Sequence, residues 1–322
     1  MNRKVSDAFE RKFVVITTIN LPNKRVLDYK SLGYEVVVIG DKKTSDSHWT
    51  NFAKNEGIEY LGLDEQQATF PHVCEVLPLN TYSRKNLGYL QAIKRGAQLV
   101  WETDDDTFPR AEVGDPLKFV SQQKVLVTEN KHNLWNPYSH FAATQGLWPR
   151  GYPLSKLKGK DLVFAQKLQL DSSPDIIQTL VNREPDVDAI YRLTVSDEIL
   201  DFPAQRDLVS LPDKVMTPGN TQSTFWLNPR LFQYLYFPST VSNRFADILK
   251  LYIAQTECSL AYAGFLTEQF RNAHDYLNDF AEEISMYTSL ELLLETLASI
   301  SQAEIVSTYE ILANLGICSS QE

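Results

Sequence analysis

The stretch Leu99-Val100-Trp101-Glu102-Thr103-Asp104-Asp105-Asp106-Thr107 constrains this chain more than any other. An apolar run meets three consecutive aspartates and is then stopped by Phe108-Pro109. It reads as a buried strand whose last residues emerge as acids at its carboxyl end. Adjacent carboxylates repel one another. A divalent cation relieves that repulsion, and hard oxygen ligands suit Mg²⁺ or Mn²⁺. A strand end is a suitable place, because open α/β sheets bind ligands beyond the carboxyl ends of their strands. The competing reading is an acidic turn that merely ends a strand, since short Asp runs are common on surfaces. A calcium loop is a poor fit, because its glycine and its later glutamate are missing.

The residues before this stretch supply a sheet for it. Phe13 to Ile19 is a β-branched run, Glu35 to Asp41 a second, and Ile58 to Leu63 a third. Such runs read as buried strands. A short helical segment lies between the first two, around Lys24 to Ser31 and ending near Gly33. Buried strands separated by helical segments predict a parallel sheet covered on both faces. Asp41 stands just past the second strand. There it either accepts a hydrogen bond from a ribose or base or serves as a turn residue after Gly40. Thr17 and Thr18, near the end of the first strand, are expected to bind the cofactor together with Asp41. No GxGxxG follows the first strand and no GxxxxGK[ST] occurs anywhere, so the ordinary dinucleotide and P-loop fingerprints are absent.

Residues 78–97 read as a helix, with Thr81 or Ser83 as N-cap and Gly96 at the C-terminal end. Leu87, Leu90, Ile93 and Ala97 form its inward stripe. Arg84 and Lys85 crowd its first turn with positive charge, which opposes the helix dipole. That misfit points to an anion site able to take a diphosphate; solvated surface charge is the alternative.

Composition narrows the classes. The chain has 322 residues and a formal net charge of −10. A nucleic-acid binder would usually be basic, so no nucleic-acid partner is expected. Cys74, Cys258 and Cys318 are widely spaced, without a CxxC pair. This argues against a zinc site or disulfide scaffold and fits a reducing, cytoplasmic setting. No leader peptide and no transmembrane segment are expected.

At this point the chain resembles a known family. Asn80-Thr81-Tyr82-Ser83-Arg84-Lys85-Asn86-Leu87-Gly88-Tyr89-Leu90, followed by Glu102-Thr103-Asp104-Asp105-Asp106, is similar to the STELLO-type glycosyltransferases. Further matches are Leu134-Trp135-Asn136-Pro137-Tyr138, Leu147 to Leu154, Pro185 to Thr194 and Pro238 to Ile248. More distantly, the Asp triplet and Arg150-Gly151-Tyr152-Pro153 resemble the reversibly glycosylated polypeptides, which include UDP-arabinopyranose mutases. The resemblance implies an α/β chain of GT-A fold: a Rossmann-like mixed sheet flanked by helices, with its nucleotide half continuous with an acceptor half. It also implies that Asp104 and Asp106 are the metal ligands for Mn²⁺ or Mg²⁺, with Asp105 nearer the sugar or ribose.

Residues 131–160, rich in Trp, Pro, Tyr, Asn and Gly, predict irregular loops. Trp135, Tyr138, His140, Trp148 and Tyr152 could stack on sugar faces or fill the core beneath a loop. Arg150 either clamps a phosphate or sugar hydroxyl or forms a structural bridge. Asp186 and Asp188 would share one side of a short strand, as acceptor-binding or general-base candidates or as turn and capping residues. Pro238 to Leu249 reads as the start of a helix capped by Ser239 to Ser242. By the resemblance Asp247 on it is the catalytic base; the alternative is a surface ion pair with Arg244. From about 246 onward the sequence turns helical. Leu290, Leu293, Leu294 and Leu297 make one stripe and Ile305, Tyr309 and Leu312 another, with Glu282, Glu283, Glu291 and Glu295 outside. These helices pack on the core or offer a face for a homodimer.

The expected organisation is a GT-A domain over 1–245, divided into a nucleotide-binding half (12–110) and an acceptor half (111–245). A helical region over 246–322 packs on it. The expected activity is metal-dependent transfer from a nucleotide-sugar donor, most often a UDP-sugar, to a carbohydrate or glycoconjugate acceptor, as in polysaccharide synthesis. A sugar-nucleotide mutase and a non-catalytic scaffold for a polysaccharide synthase are the rivals.

Overall fold

In a computed structural model the described residues are 9–110, 124–128, 134–142, 146–158, 164–167, 174–202, 207–211, 215–271, 275–300 and 304–322. The apolar runs form strands β1 (Lys12–Thr17), β2 (Glu35–Ile39), β3 (Glu59–Leu61) and β4 (Leu99–Asp104), joined in parallel in the order β3-β2-β1-β4. Their side chains alternate between two apolar layers. Phe13, Val15, Val37 and Ile39 face one layer. Val14, Ile16, Val36 and Val38 face the other, with Tyr29, Trp49 and Trp101. Helices α1 (Val26–Ser31), α2 (Asp46–Glu56), α3 (Leu63–Thr69), α4 (Pro71–Val76) and α5 (Lys85–Lys94) make the connections.

Beyond β4 the same sheet continues, now mixed. β10 (Ser223–Trp226) runs antiparallel to both β4 and β8 (Ile176–Asn182). β11 (Leu260–Gln269) is parallel to β8 and antiparallel to β9 (Asp207–Ser210). β6 (Lys124–Thr128) and β7 (Phe164–Lys167) complete that edge, while β5 (Thr107–Pro109) pairs with the far end of β11. The remaining helices among the described residues are α6 (Pro137–Phe141), α7 (Ala189–Thr194), α8 (Asn243–Ala254), α9 (Tyr276–Ser299) and α10 (Ile305–Asn314). The expected α/β layout, with one half continuous with the other, is therefore present as one mixed sheet. None of the helices among the described residues is long and apolar enough to cross a membrane.

Several expectations need correction. The break expected at residue 245 falls inside α8, and the region expected to be helical contributes β11 to the middle of the sheet. Asp186 and Asp188 precede α7, not a strand. Ser242 does not cap α8 with its hydroxyl, which donates instead to the Glu282 carbonyl. Neither Thr81 nor Ser83 caps α5; a 3-10 turn over Tyr82–Arg84 leads into the helix. Trp135, Tyr138 and Trp148 are core residues. The C-terminal stripes hold at Leu290, Leu293, Leu297 and Leu312, which are buried, but of the stripe expected over residues 78–97 only Leu87 and Ala97 are buried, while Leu90 and Ile93 are exposed. Glu283, expected outside, is fully buried.

Under β4 lies a buried ion pair. Lys250 of α8 meets the Glu102 carboxylate and lies 3.1 Å from the Tyr89 hydroxyl, while Trp226 Nε1 donates to Glu102 at 2.8 Å. Burial lowers the Lys250 pKa to about 8, against the pull of Glu102. Removing one partner would leave a buried charge unmatched, at a cost of about 3–5 kcal/mol. The pair therefore ties α8 to the strand that carries the aspartates.

Gly88 lets α5 lie close on the sheet. A Cβ there would come within 2.5 Å of Val15 Cγ1 and 3.0 Å of Ile39 Cγ1. Helix propensity favours Gly88→Ala by about 1 kcal/mol, but overpacking costs about 1–3 kcal/mol. We expect Gly88→Ala to lower the urea midpoint; an unchanged or raised midpoint would contradict this packing.

Candidate active site

β4 ends between β1 and β10, with Asp104 in register with Thr17 of β1. The three aspartates then take different partners. Asp104 Oδ1 lies 3.2 Å from Lys85 Nζ, which also donates to the Thr103 carbonyl at 2.9 Å. Asp105 accepts from the Thr18 hydroxyl and, at 3.0 Å, from Asn20 Nδ2. Asp106 Oδ1 accepts from Gln269 Nε2 at 2.9 Å, and its carbonyl accepts from Phe270 N at 2.8 Å. One acid is thus held from α5, one from the end of β1 and one from the end of β11. Burial, and then the neighbouring Asp104, push the Asp106 carboxyl up to about 7. Burial also raises Asp104, with Lys85 pulling the other way.

Two cavities meet at this strand end. One, of about 360 Å³, is lined by Thr18, Asn20, Asp41, Lys43, Asn80 and Thr81 among others. The second, of about 280 Å³, is lined by Asp104, Arg150, Asp186, Arg244, Asp247 and Gln269 among others. Thr17, Tyr82, Asp105, Asp106 and Asn243 line both. The first is within the usual range for a small-molecule site.

Most of the predicted site residues converge here, but some do different work. Asp41 lines the first cavity while its carboxylate accepts from Lys42 N at 2.6 Å and Thr81 N at 3.3 Å. Asp41 is thus a turn residue, as one alternative had it, and it also faces the first cavity. Arg84 and Lys85 do not converge on one anion site, although Arg84 does line the first cavity. The Arg84 guanidinium turns to the Gln66 side chain and the Leu77 carbonyl, and Lys85 has no exposure. The two cations diverge because each compensates a buried acceptor.

Arg150 is a structural bridge at the floor of the second cavity. Its Nε and Nη2 donate to Asp186 at 2.9 and 2.8 Å. Nη1 and Nη2 donate to Asp247 at 2.9 and 2.7 Å, and Nη1 also meets the Arg244 carbonyl. All its donors are occupied, so it has none left for a phosphate. Asp247 pairs with Arg150 and not with Arg244, whose partner is the buried Glu283. Asp188 is not brought to the cavities. It is buried as the N-cap of α7, accepting from Tyr191 N at 2.7 Å and from Trp148 Nε1 at 2.7 Å. We therefore remove it from the catalytic set.

Asn20, Asn80, Tyr82, Asn243 and Gln269 were missed as site residues. Asn80 and Tyr82 sit inside the Asn80 to Leu90 run, and Asn80 has a φ of +58°, a conformation asparagine tolerates better than most residues. The others are joined to the site only by tertiary contacts.

No family model matches the chain. Two Arabidopsis thaliana proteins do. "Probable glycosyltransferase STELLO1" is 27% identical over 334 aligned positions, covering 97% of this chain. "Probable glycosyltransferase STELLO2" is 28% identical over 263, covering 76%. This chain is related to the STELLO proteins. It spans 42% of the length of STELLO1 and 33% of STELLO2. Among solved structures, S. aureus TarS 1-349 in complex with UDP-GlcNAc aligns with 94% of this chain and 71% of its own. The TM-score is 0.42 at 12% identity, a loose likeness.

The raised Asp106 pKa sets a pH dependence. Its folded value lies above the unfolded value of about 3.9, so the native state holds this proton more tightly. The associated stability is present at low pH and is lost as pH rises towards about 7. Asp106→Asn cannot ionise and serves as reference. In chelator, denaturation should show the wild type losing stability relative to Asp106→Asn between about pH 4 and 7. A pH-independent difference would contradict the burial assigned to Asp106.

Proposed function

We propose that this chain is a metal-dependent glycosyltransferase of GT-A type, moving sugar from a nucleoside-diphosphate sugar, most often a UDP-sugar, to a hydroxyl of a saccharide acceptor. The observation that carries this reading is the fan of aspartates at the end of β4, standing where a nucleoside-sized cavity opens into a second, acid-lined one. The description of both STELLO relatives as glycosyltransferases supports it.

The donor set suits Mn²⁺ or Mg²⁺. Among the described residues no group of three or more His, Cys, Asp or Glu is spaced to hold a metal. A cation that takes one or two carboxylates and completes its shell with water and substrate phosphate fits such a site. Asp104 and Asp106 would hold it, each having one carboxylate oxygen not engaged by Lys85 or Gln269. Bound there, such a cation neutralises charge on the diphosphate.

The protein groups divide the rest of the work. Asp41, Thr18 and Asn80 face the nucleoside; Asp105, held by Thr18 and Asn20, faces the ribose or sugar. Asp247 faces the acceptor and takes its hydroxyl proton, oriented by Arg150. Asp186, the mirror partner across Arg150, keeps that guanidinium in place.

Two outcomes test this reading. Asp104→Ala or Asp106→Ala should abolish Mn²⁺-dependent UDP binding by calorimetry while the melting curve stays cooperative; unchanged affinity would remove the metal role. Asp247→Asn should keep UDP affinity and lower kcat about 100-fold, a typical general-base contribution. Undiminished turnover would take Asp247 out of the mechanism.

A further inference from the structure

Tyr82 is set apart from the turn that carries it. Ser83, Arg84 and Lys85 are buried, whereas Tyr82 is 51% exposed. It lines both cavities, on the boundary they share above Asp105 and Asp106. Its backbone is fixed from the opposite half, Tyr82 N donating to Asn243 Oδ1 at 3.3 Å. Nearby, Asn86 and the Phe237 backbone exchange two hydrogen bonds of 2.8 and 2.7 Å, so the turn is held on α8's side of the cleft as well. The Tyr82 hydroxyl makes no hydrogen bond among the described residues. A phenol of ordinary acidity is a neutral O–H donor at neutral pH.

Most cations around this boundary already have carboxylate or amide partners: Arg244 pairs with Glu283 and Arg271 with Asp279, and Arg84, which lines the nucleoside cavity, is turned from the shared boundary. Arg84 points to Gln66, Lys85 to Asp104, and Arg150 to Asp186 and Asp247. Lys43 lines only the nucleoside cavity. An uncharged hydroxyl is well suited to stand beside aspartates, where it needs no counter-charge and can still bind an ionised oxygen strongly.

We propose that Tyr82 is a catalytic residue that donates a hydrogen bond to the outer phosphate of the donor's diphosphate, at the oxygen that bridges to the sugar. As the acceptor's oxygen bonds to the sugar carbon, the bond from that carbon to the diphosphate oxygen breaks, and the electron pair stays on the diphosphate oxygen and strengthens the hydrogen bond from Tyr82. Tyr82 keeps its own proton, and the acceptor's proton goes to Asp247. This inference rests on the reading of the site as one for nucleoside-diphosphate sugars.

Because the released diphosphate keeps that oxygen, binding alone tests the contact. Calorimetry with Mn²⁺ would compare UDP and UMP on wild type, Tyr82→Phe and Tyr82→Ala. Tyr82→Phe should bind UDP about tenfold more weakly and UMP as the wild type does. Tyr82→Phe that binds UDP as tightly as wild type, or that weakens UDP and UMP alike, overturns the proposal and leaves the reading of the site standing. Wild type that binds neither nucleotide overturns both. Should Tyr82→Ala fail to fold, Tyr82→Phe, which keeps the ring, carries the result.

Discussion

The contact on which the site depends is between Lys85 and the end of β4. A fully buried ammonium donates to the Thr103 carbonyl and to Asp104. It offsets part of the charge that burial would otherwise make costly there. The offset is incomplete, since Asp104 and Asp106 are still raised above the ordinary carboxylate range. A strand end that keeps surplus negative charge in a cleft is poised for a cation or a hydrogen-bond donor. It is also a liability when nothing is bound, and this couples stability to pH and to ligand.

The surrounding structure consists of charges placed to hold that strand end. Glu102 and Lys250 lie beneath it, and Arg150 gathers Asp186 and Asp247 across the second cavity. Glu283 of α9 accepts from Ala189 N at 2.9 Å and pairs with Arg244. Helix α9 therefore does more than cover the core. It fixes a wall of the second cavity, to which Asp279 and Glu282 also contribute. Both halves of the sheet meet at β4 and β10, so the aspartates sit on the seam.

Much of this was legible before any coordinates. The β-branched runs announced β1 and β2 because a strand buried on both faces needs a continuous apolar sequence. The aspartates marked the end of β4 because an apolar run that stops at acids has to leave the core there. β11 was not legible: Leu260-Ala261-Tyr262-Ala263 is a short apolar run, and such runs do not separate strand from helix by periodicity. Arg84 and Lys85 were misassigned for a different reason. Position in a helix's first turn says where a backbone starts, but a long side chain's destination is set by buried acceptors such as the Gln66 amide and the Thr103 carbonyl. Glu283 looked like surface because its partners, Arg244 and Ala189 N, are distant in sequence. Asp188 carried the right residue type and spacing, yet was taken by the α7 N-terminus.

The central claim is that the crowding at the end of β4 is relieved by an ion bridging carboxylates to diphosphate oxygens. Anomalous diffraction at the manganese edge, from crystals grown with Mn²⁺ and UDP, tests it most directly. The account predicts one strong peak in contact with Asp104 and Asp106 and with the nucleotide's phosphates. A nucleotide bound without that peak, or a peak away from both carboxylates, would contradict it.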